Sequence, residues 1–160
     1  MRAGVDARMR VEGGRGRCGG QHREHGYRPR RRFWKVRTHA TADAVVGGVI
    51  GPLNAPEALL LGLPDRRGRL RVAGRTGPLT LPARRELGAL LMPPQRAHPW
   101  QQRIPSSRFG QLPGESVDYT PTEPLLVVEV DADVCFEQGR WRHATAFRRV
   151  RGDLQPADLT

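Results

Sequence analysis

Lysine is nearly absent from this 160-residue chain: Lys35 stands alone, and every other strongly basic residue is an arginine. Lysine-based nucleophilic catalysis is thereby narrowed to one position, because a guanidinium cannot give up its proton at physiological pH. Cysteine is scarce too. Cys18 and Cys135 lie far apart, match no metal-ligand spacing, and read as two free thiols in preference to one disulfide. Long apolar runs are missing. The longest, Ala44–Ile50 and Ala58–Leu63, fall far short of the ~18 residues a membrane span needs. Residues 1–25 hold no apolar stretch of the secretory kind, so a cytoplasmic location is expected. No Ser-His-Asp arrangement stands out, and no strand leads into the glycines of 13–20 to make them a phosphate-cradling loop. His98, in His98-Pro99-Trp100, has no partner at ligand spacing, and His22, His25 and His39 sit in or near an arginine-rich stretch. No metal held by the protein alone is expected.

What is present is arginine, glycine and proline. Nineteen Gly and fourteen Pro, with 38% apolar residues, point to a small core built from short elements and many turns. The net charge of +11 is lopsided. Residues 1–37 carry twelve basic and three acidic side chains, and residues 38–160 carry fifteen and thirteen. A basic block of this kind meets polyanions, with nucleic acid the default partner.

Residues 1–26 are dominated by Gly and Arg without apolar periodicity and are expected to be disordered. Beyond them come short apolar stretches between turn signals. Strands are expected at Ala44–Ile50, Ala58–Leu63, Leu70–Thr76 and Leu125–Val130, with a last one inside Arg140–Val150. In Leu70–Thr76, strict alternation puts Leu70, Val72 and Gly74 on one face and Arg69, Arg71, Ala73 and Arg75 on the other. Pro82–Leu91 reads as a helix, with Leu87, Leu90 and Leu91 at helical spacing. Residues 92–121 read as a Pro-rich connection, and Asp153 onwards as a tail. Five short strands and one helix suggest a mainly β chain, a five-stranded Greek-key barrel of the oligonucleotide-binding (OB) type.

Two constellations can carry chemistry. Tyr27–Arg37 interleaves aromatics with Arg28, Arg30, Arg31, Arg32, Lys35 and Arg37. It suits phosphates and base faces, and equally a solvated domain edge. In Phe147-Arg148-Arg149-Val150-Arg151-Gly152-Asp153, the period of two sends Arg149 and Arg151 to one side of a strand, with Asp153 just beyond. That pair fits a polyphosphate grip or an ordinary charged edge strand.

The order of these segments resembles the C-terminal part of bacterial ATP-dependent DNA ligases. Phe33-Trp34-Lys35-Val36-Arg37 is similar to the family's motif V, which closes its nucleotidyltransferase domain. Asp43–Gly51, Leu59–Gly62, Gly68–Thr76, His98-Pro99-Trp100, Glu123–Val130 and Trp141-Arg142-His143 resemble its OB domain, and Phe147–Asp153 its motif VI. Ala146 and Leu154 stand where motif VI usually has Arg and Lys. The resemblance implies 27–40 as the end of the nucleotidyltransferase domain and 41–160 as the OB domain, with 1–26 outside it. It implies Lys35, Arg37, Arg149, Arg151 and Asp153 as nucleotide-phosphate contacts. Arg28, Arg30, Arg31, Arg32, Arg69, Arg71 and Arg75 then become candidates for DNA binding.

The resemblance further implies nicked duplex DNA as partner, ATP and Mg2+ as cofactors of the full-length family, and a monomer. The family's nucleophile is the lysine of Lys-x-Asp-Gly, whereas Lys35 is followed by Val36-Arg37. No catalytic residue is therefore assigned to this chain, no cofactor is expected on it alone, and a separate nucleotidyltransferase chain is a candidate partner. Two alternatives stay open: a stand-alone module for single-stranded nucleic acid, which the nine Trp, Tyr and Phe residues supply sparingly, and the OB domain of an RNA ligase or capping-type enzyme.

Overall fold

The computed structural model describes residues 10–12, 39–109, 114–133 and 136–159. Its strands are β1 (Arg10–Glu12), β2 (His39–Ile50), β3 (Ala58–Pro64), β4 (Leu70–Arg75), β5 (Arg103–Pro105), β6 (Ser116–Asp118), β7 (Thr120–Pro121), β8 (Val127–Asp133), β9 (Phe136–Glu137), β10 (Arg140–Trp141) and β11 (Ala146–Val150). One α-helix, α1 (Leu81–Leu90), follows β4. The main sheet runs β11-β8-β2-β3-β4, with β1 and β7 also on β2. After the β2-β3-β4 meander the chain crosses over and returns on the other side of β2, which is the Greek-key path.

Mainly β with one helix, as expected, the sheet nevertheless does not close as a barrel. Its two edges meet only where β4 has ended and β11 has not begun. There Thr76 and Thr145 form an isolated parallel bridge. Two backbone bonds hold it, Gly77 N–H to Thr145 O at 2.8 Å and Thr145 N–H to Arg75 O at 2.9 Å. Strands that overlap by one residue pair cannot build a ladder.

The strands are longer or shorter than expected by a few residues, and β2 gains the most, reaching back to His39. Its even positions, Ala42, Ala44 and Val46, join Leu59, Leu61, Val128, Val130 and the buried Trp141 in the main core. Odd positions face the opposite side, where Val45 and Val127 are covered by Leu159 of the C-terminal segment. A strand buried on both faces reads as an unbroken apolar run, which is why it was legible.

The β2–β3, β3–β4 and β8–β11 ladders each carry an extra residue. Register slips at Gly47 in β2, at Ala73 in β4 and at Arg148 in β11. Such bulges reset which face the next side chain meets. The slip at Ala73 therefore brings Gly74 round to the main core, against the Trp141 ring, where strict alternation had put it with Leu70 and Val72; Ala73 itself is fully buried in that core.

Helix α1 starts at Thr80, whose Oγ1 accepts the Ala83 N–H at 3.4 Å, with Pro82 in its first turn. Leu87 and Leu91, one turn apart, are buried, while Leu90 is 46% exposed and does not share their face. Gly88 lies against the Asn54 carbonyl, leaving no room for a Cβ.

The connection 92–121 is not merely irregular. It pairs β5 with β6, forms a 3-10 turn at Ser106–Phe109, and lays its side chains over the outer side of β2-β3-β4. Leu60, Ile104 and Phe109 form a second cluster there, with Val72, Trp100 and Tyr119 packed on it. Trp100 rests on Gly47 and Gly62 and donates Nε1–H to Leu70 O at 3.0 Å. His98 is bound into the same wall. Its Nδ1 accepts the Trp100 N–H at 3.1 Å, which leaves Nε2–H to donate to Gly47 O at 2.7 Å. Among the described residues no helix is long and apolar enough to cross a membrane.

Candidate functional site

The bulge at Arg148 decides how β11 displays its charges. Phe147 pairs with Val130 and Val150 with Val128, both inward positions of β8, while Arg149 pairs with Glu129 on the outer face. The extra residue lets Arg148 and Arg149 both point outward, so Arg148 reaches Asp131 at 3.1 Å and Arg149 reaches Glu129 at 2.9 Å. Arg151 reaches Glu129 too, so Arg149 and Arg151 do lie on one side.

The acids come from the neighbouring strands. Asp43 on β2 and Glu129 on β8 are direct cross-strand partners, both about nine-tenths buried. Two carboxylates so placed would repel. Arg151 sits between them, its Nη1 3.1 Å from Asp43 and 3.3 Å from Glu129. Its Nε and Nη2 grip Asp153 at 3.0 and 2.9 Å. This bidentate pairing is the geometry guanidinium favours, and it needs Asp153 two residues along the chain.

The charges tune one another. The Arg151 hydrogen bonds hold the Asp153 carboxyl down at about 2. Burial pushes Glu129 up, but the hydrogen bonds and charges of Arg149 and Arg151 outweigh it and leave it below its ordinary value. The Asp153 hydrogen bond raises Arg151 further still.

The two arginines are therefore unequal. Arg151 spends most of its N–H donors inside the cluster, and its side chain is 9% exposed. Arg149, its Nε and Nη2 on Glu129, is 60% exposed. Asp153, whose side chain is 66% exposed, holds the Nε–Nη2 edge of Arg151, the edge a phosphate group would take. Asp43 and Glu129 were not singled out as site residues from sequence. The signal was partly there: Asp43 is the one acid of β2, a placement that demands a buried cation, whereas Glu129 shares β8 with Asp131 and Asp133.

The other candidates divide. Arg69 and Arg71 flank the β3–β4 hairpin and are exposed, and Arg75 is half-buried at the end of β4. They do not join the Arg149–Arg151 cluster through any hydrogen bond among the described residues. Arg28, Arg30, Arg31, Arg32, Lys35 and Arg37 lie outside the described residues. So do Cys18 and Cys135, and all of 1–26 except the three residues of β1. Trp141, Arg142 and His143 part company: Trp141 fills the core, and the other two are at the surface.

No protein-family model matches the chain, and no curated protein matches it. Solved structures do. The ligase domain of LigD from M. tuberculosis aligns with a TM-score of 0.56 at 24% identity, covering 75% of this chain and 38% of that one. A mycobacterial DNA ligase D complexed with ATP and MES aligns with a TM-score of 0.54 at 27% identity, covering 75% and 37%. The chain thus shares the fold of part of a ligase domain, and spans less than two fifths of the length of either structure.

Proposed function

We propose that this chain is the DNA-holding, OB-type portion of an ATP-dependent DNA ligase, gripping nicked duplex while a nucleotidyltransferase unit bearing the reactive lysine does the chemistry. One observation carries the reading: the segments that resemble the ligase family in sequence, taken in order, fall in a chain whose fold aligns with a mycobacterial DNA ligase D at 27% identity.

The residues suit the role. Arg149 offers an exposed guanidinium on the outer face, and Asp153 occupies Arg151 in the manner of an anion that a nucleotide phosphate would replace. ATP and Mg2+ belong to the joined enzyme. There Arg149, Arg151 and Asp153, with Lys35 and Arg37, would orient phosphates for attack by the lysine amine, the step that this chain's single lysine is not placed to perform. Arg69, Arg71 and Arg75, with Arg28, Arg30, Arg31 and Arg32, would meet backbone phosphates, which set affinity without reading sequence.

Titrating the 160-residue polypeptide with nicked duplex, RNA duplex and increasing salt tests this. Nicked DNA is expected to bind best, with a log–log salt slope of roughly −0.9 for each phosphate contact, and Arg69→Gln should flatten the slope by about that amount. Binding indifferent to salt, or a preference for RNA, refutes the reading.

A further inference from the structure

Two grooves open on the outer side of β4, and both are lined by Leu70, Arg71 and Pro99. The smaller, about 300 Å3, runs under Arg108 and is floored by Trp100 and Ile104. The larger, about 720 Å3, continues past Arg69 to Pro124 and Pro156. Together they make a channel with an apolar floor and arginines along its rim, and no carboxylate lines either part among the described residues.

Both walls are held in place. Asp65 ties the β3–β4 hairpin: Oδ1 accepts the Arg67 and Arg69 N–H groups, each at 2.9 Å, and Oδ2 accepts Arg71 Nε–H at 3.0 Å. Arg71 thus keeps its Nη groups for another anion, and its side chain is 63% exposed. On the facing wall, the Nε1–H bond to Leu70 O and the close approach to Gly47 and Gly62 fix the half-buried Trp100 ring. Arg108 is exposed on the 3-10 turn.

We infer that this channel binds unpaired DNA, with phosphodiesters at Arg71 and Arg108 and a base against Trp100 and Pro99. Duplex DNA turns its phosphates outward and keeps its bases stacked inside, so it cannot fill an apolar groove. A single strand exposes both, and base stacking on an aromatic is sequence-tolerant, because every base has a π-face. The smaller groove lies at the lower end of the size range of small-ligand sites, about 300–1,000 Å3, which suits one nucleotide unit and leaves the larger groove for the strand's continuation. The inference goes beyond duplex gripping and does not depend on it.

The test uses the full chain, a fluorescent oligothymidylate of about 12 nucleotides, within the span of OB-type sites, and a blunt nicked duplex. Arg108→Gln is expected to weaken oligothymidylate binding at least fivefold and flatten its salt slope by about 0.7, with nicked-duplex affinity changed less than twofold. In parallel, an oligothymidylate carrying one 5-iododeoxyuridine is photocrosslinked, and the adduct is expected within residues 70–72 or 99–108. Unchanged oligothymidylate binding by Arg108→Gln, an equal loss on both probes, or adducts only elsewhere would overturn the inference. If wild-type chain binds the single strand in this Arg108-dependent way but ignores nicked duplex, the proposed function fails and the channel stands.

Discussion

Replacing Arg151 by Met should unmask two carboxylates that the fold has buried side by side. The guanidinium is the cation lying 3.1 Å from Asp43 and 3.3 Å from Glu129, in a cluster whose side chains are 9% exposed at all three positions. Breaking a buried ion pair from one end costs about 3–5 kcal/mol, because an uncompensated charge is left behind. Arg149 still reaches Glu129 at 2.9 Å and shields part of that charge, so the lower end, about 3 kcal/mol, is expected. The Asp153 arm adds little, since that carboxylate is 66% exposed and regains water. For a domain of this size the loss corresponds to a fall in Tm on the order of 10 °C.

The pH dependence gives the prediction its signature. In the native protein Glu129 titrates below its ordinary value, so its contribution is present above the unfolded-state pKa and is lost as pH falls through the lower folded value. Without Arg151, Arg149 alone opposes burial at Glu129, so the folded-state value moves up and protonation gives back part of what the missing cation cost. The Arg151→Met deficit should therefore be largest near neutral pH and shrink on acidification through the carboxylate range. Adding Glu129→Gln should recover part of it. Urea melts of the three proteins at neutral and mildly acidic pH measure all of this. A variant within about 0.5 kcal/mol of wild type at neutral pH, or one whose deficit grows with acid, would refute the reasoning, because it would mean that Asp43 and Glu129 do not depend on that cation.

Three further outcomes are expected. Gly88→Ala, which helix propensity alone would make stabilising by up to about 1 kcal/mol, should instead lower urea stability, because the new methyl meets the Asn54 carbonyl backbone; a stabilised variant would show that this approach yields freely. Gly62→Ala puts a Cβ 2.7 Å from the Trp100 ring and 2.8 Å from Leu70, so thermal melts should show about 1–3 kcal/mol of overpacking and acrylamide should reach the displaced indole more readily. Incubating the 160-residue polypeptide with ATP labelled at the α-phosphate should transfer no label, since Lys35 is its single lysine and Val36-Arg37 follows it; a labelled Lys35 would overturn the division of labour proposed above.

Much of the sheet was legible because burial imposes a pattern. Val45 and Val46 point to opposite sides of β2 and are both fully buried, so its Ala44–Ile50 stretch reads as an unbroken apolar run. Much of what stayed hidden within the ladders has one physical origin, the single extra residue. A bulge changes no composition and leaves no turn residue to see, yet it rotates everything after it. At Ala73 it brought Gly74 round from the side of Leu70 and Val72 to the side of Trp141. At Arg148 it set two consecutive arginines facing outward, which alternation forbids. The connection 92–121 was misread for a different reason. Its apolar residues follow no period, because Trp100, Ile104, Phe109 and Tyr119 are placed by the shape of the surface they cover. Under Trp100 that surface is made by Gly47 and Gly62, and under Tyr119 by Gly48, where a missing side chain leaves the room.

The charged cluster carries the same lesson into function. Read along the chain, Arg149 and Arg151 are equivalent, two guanidinium groups two residues apart. What separates them is on other strands: from Arg151, Asp43 lies more than a hundred residues away in sequence and Glu129 twenty-two, and both are brought to it by the β2–β8 and β8–β11 ladders. Packing then closes over Arg151, where Leu154 and Leu159 cover the neighbouring Val45 and Val127, and leaves Arg149 at the edge. A cation whose charge is already balanced by three carboxylates is a poor first contact for a phosphate, and an exposed one beside it is a good one. If the joined enzyme does bind a nucleotide here, Arg149 should make the encounter and Arg151 should follow only once Asp153 has let go.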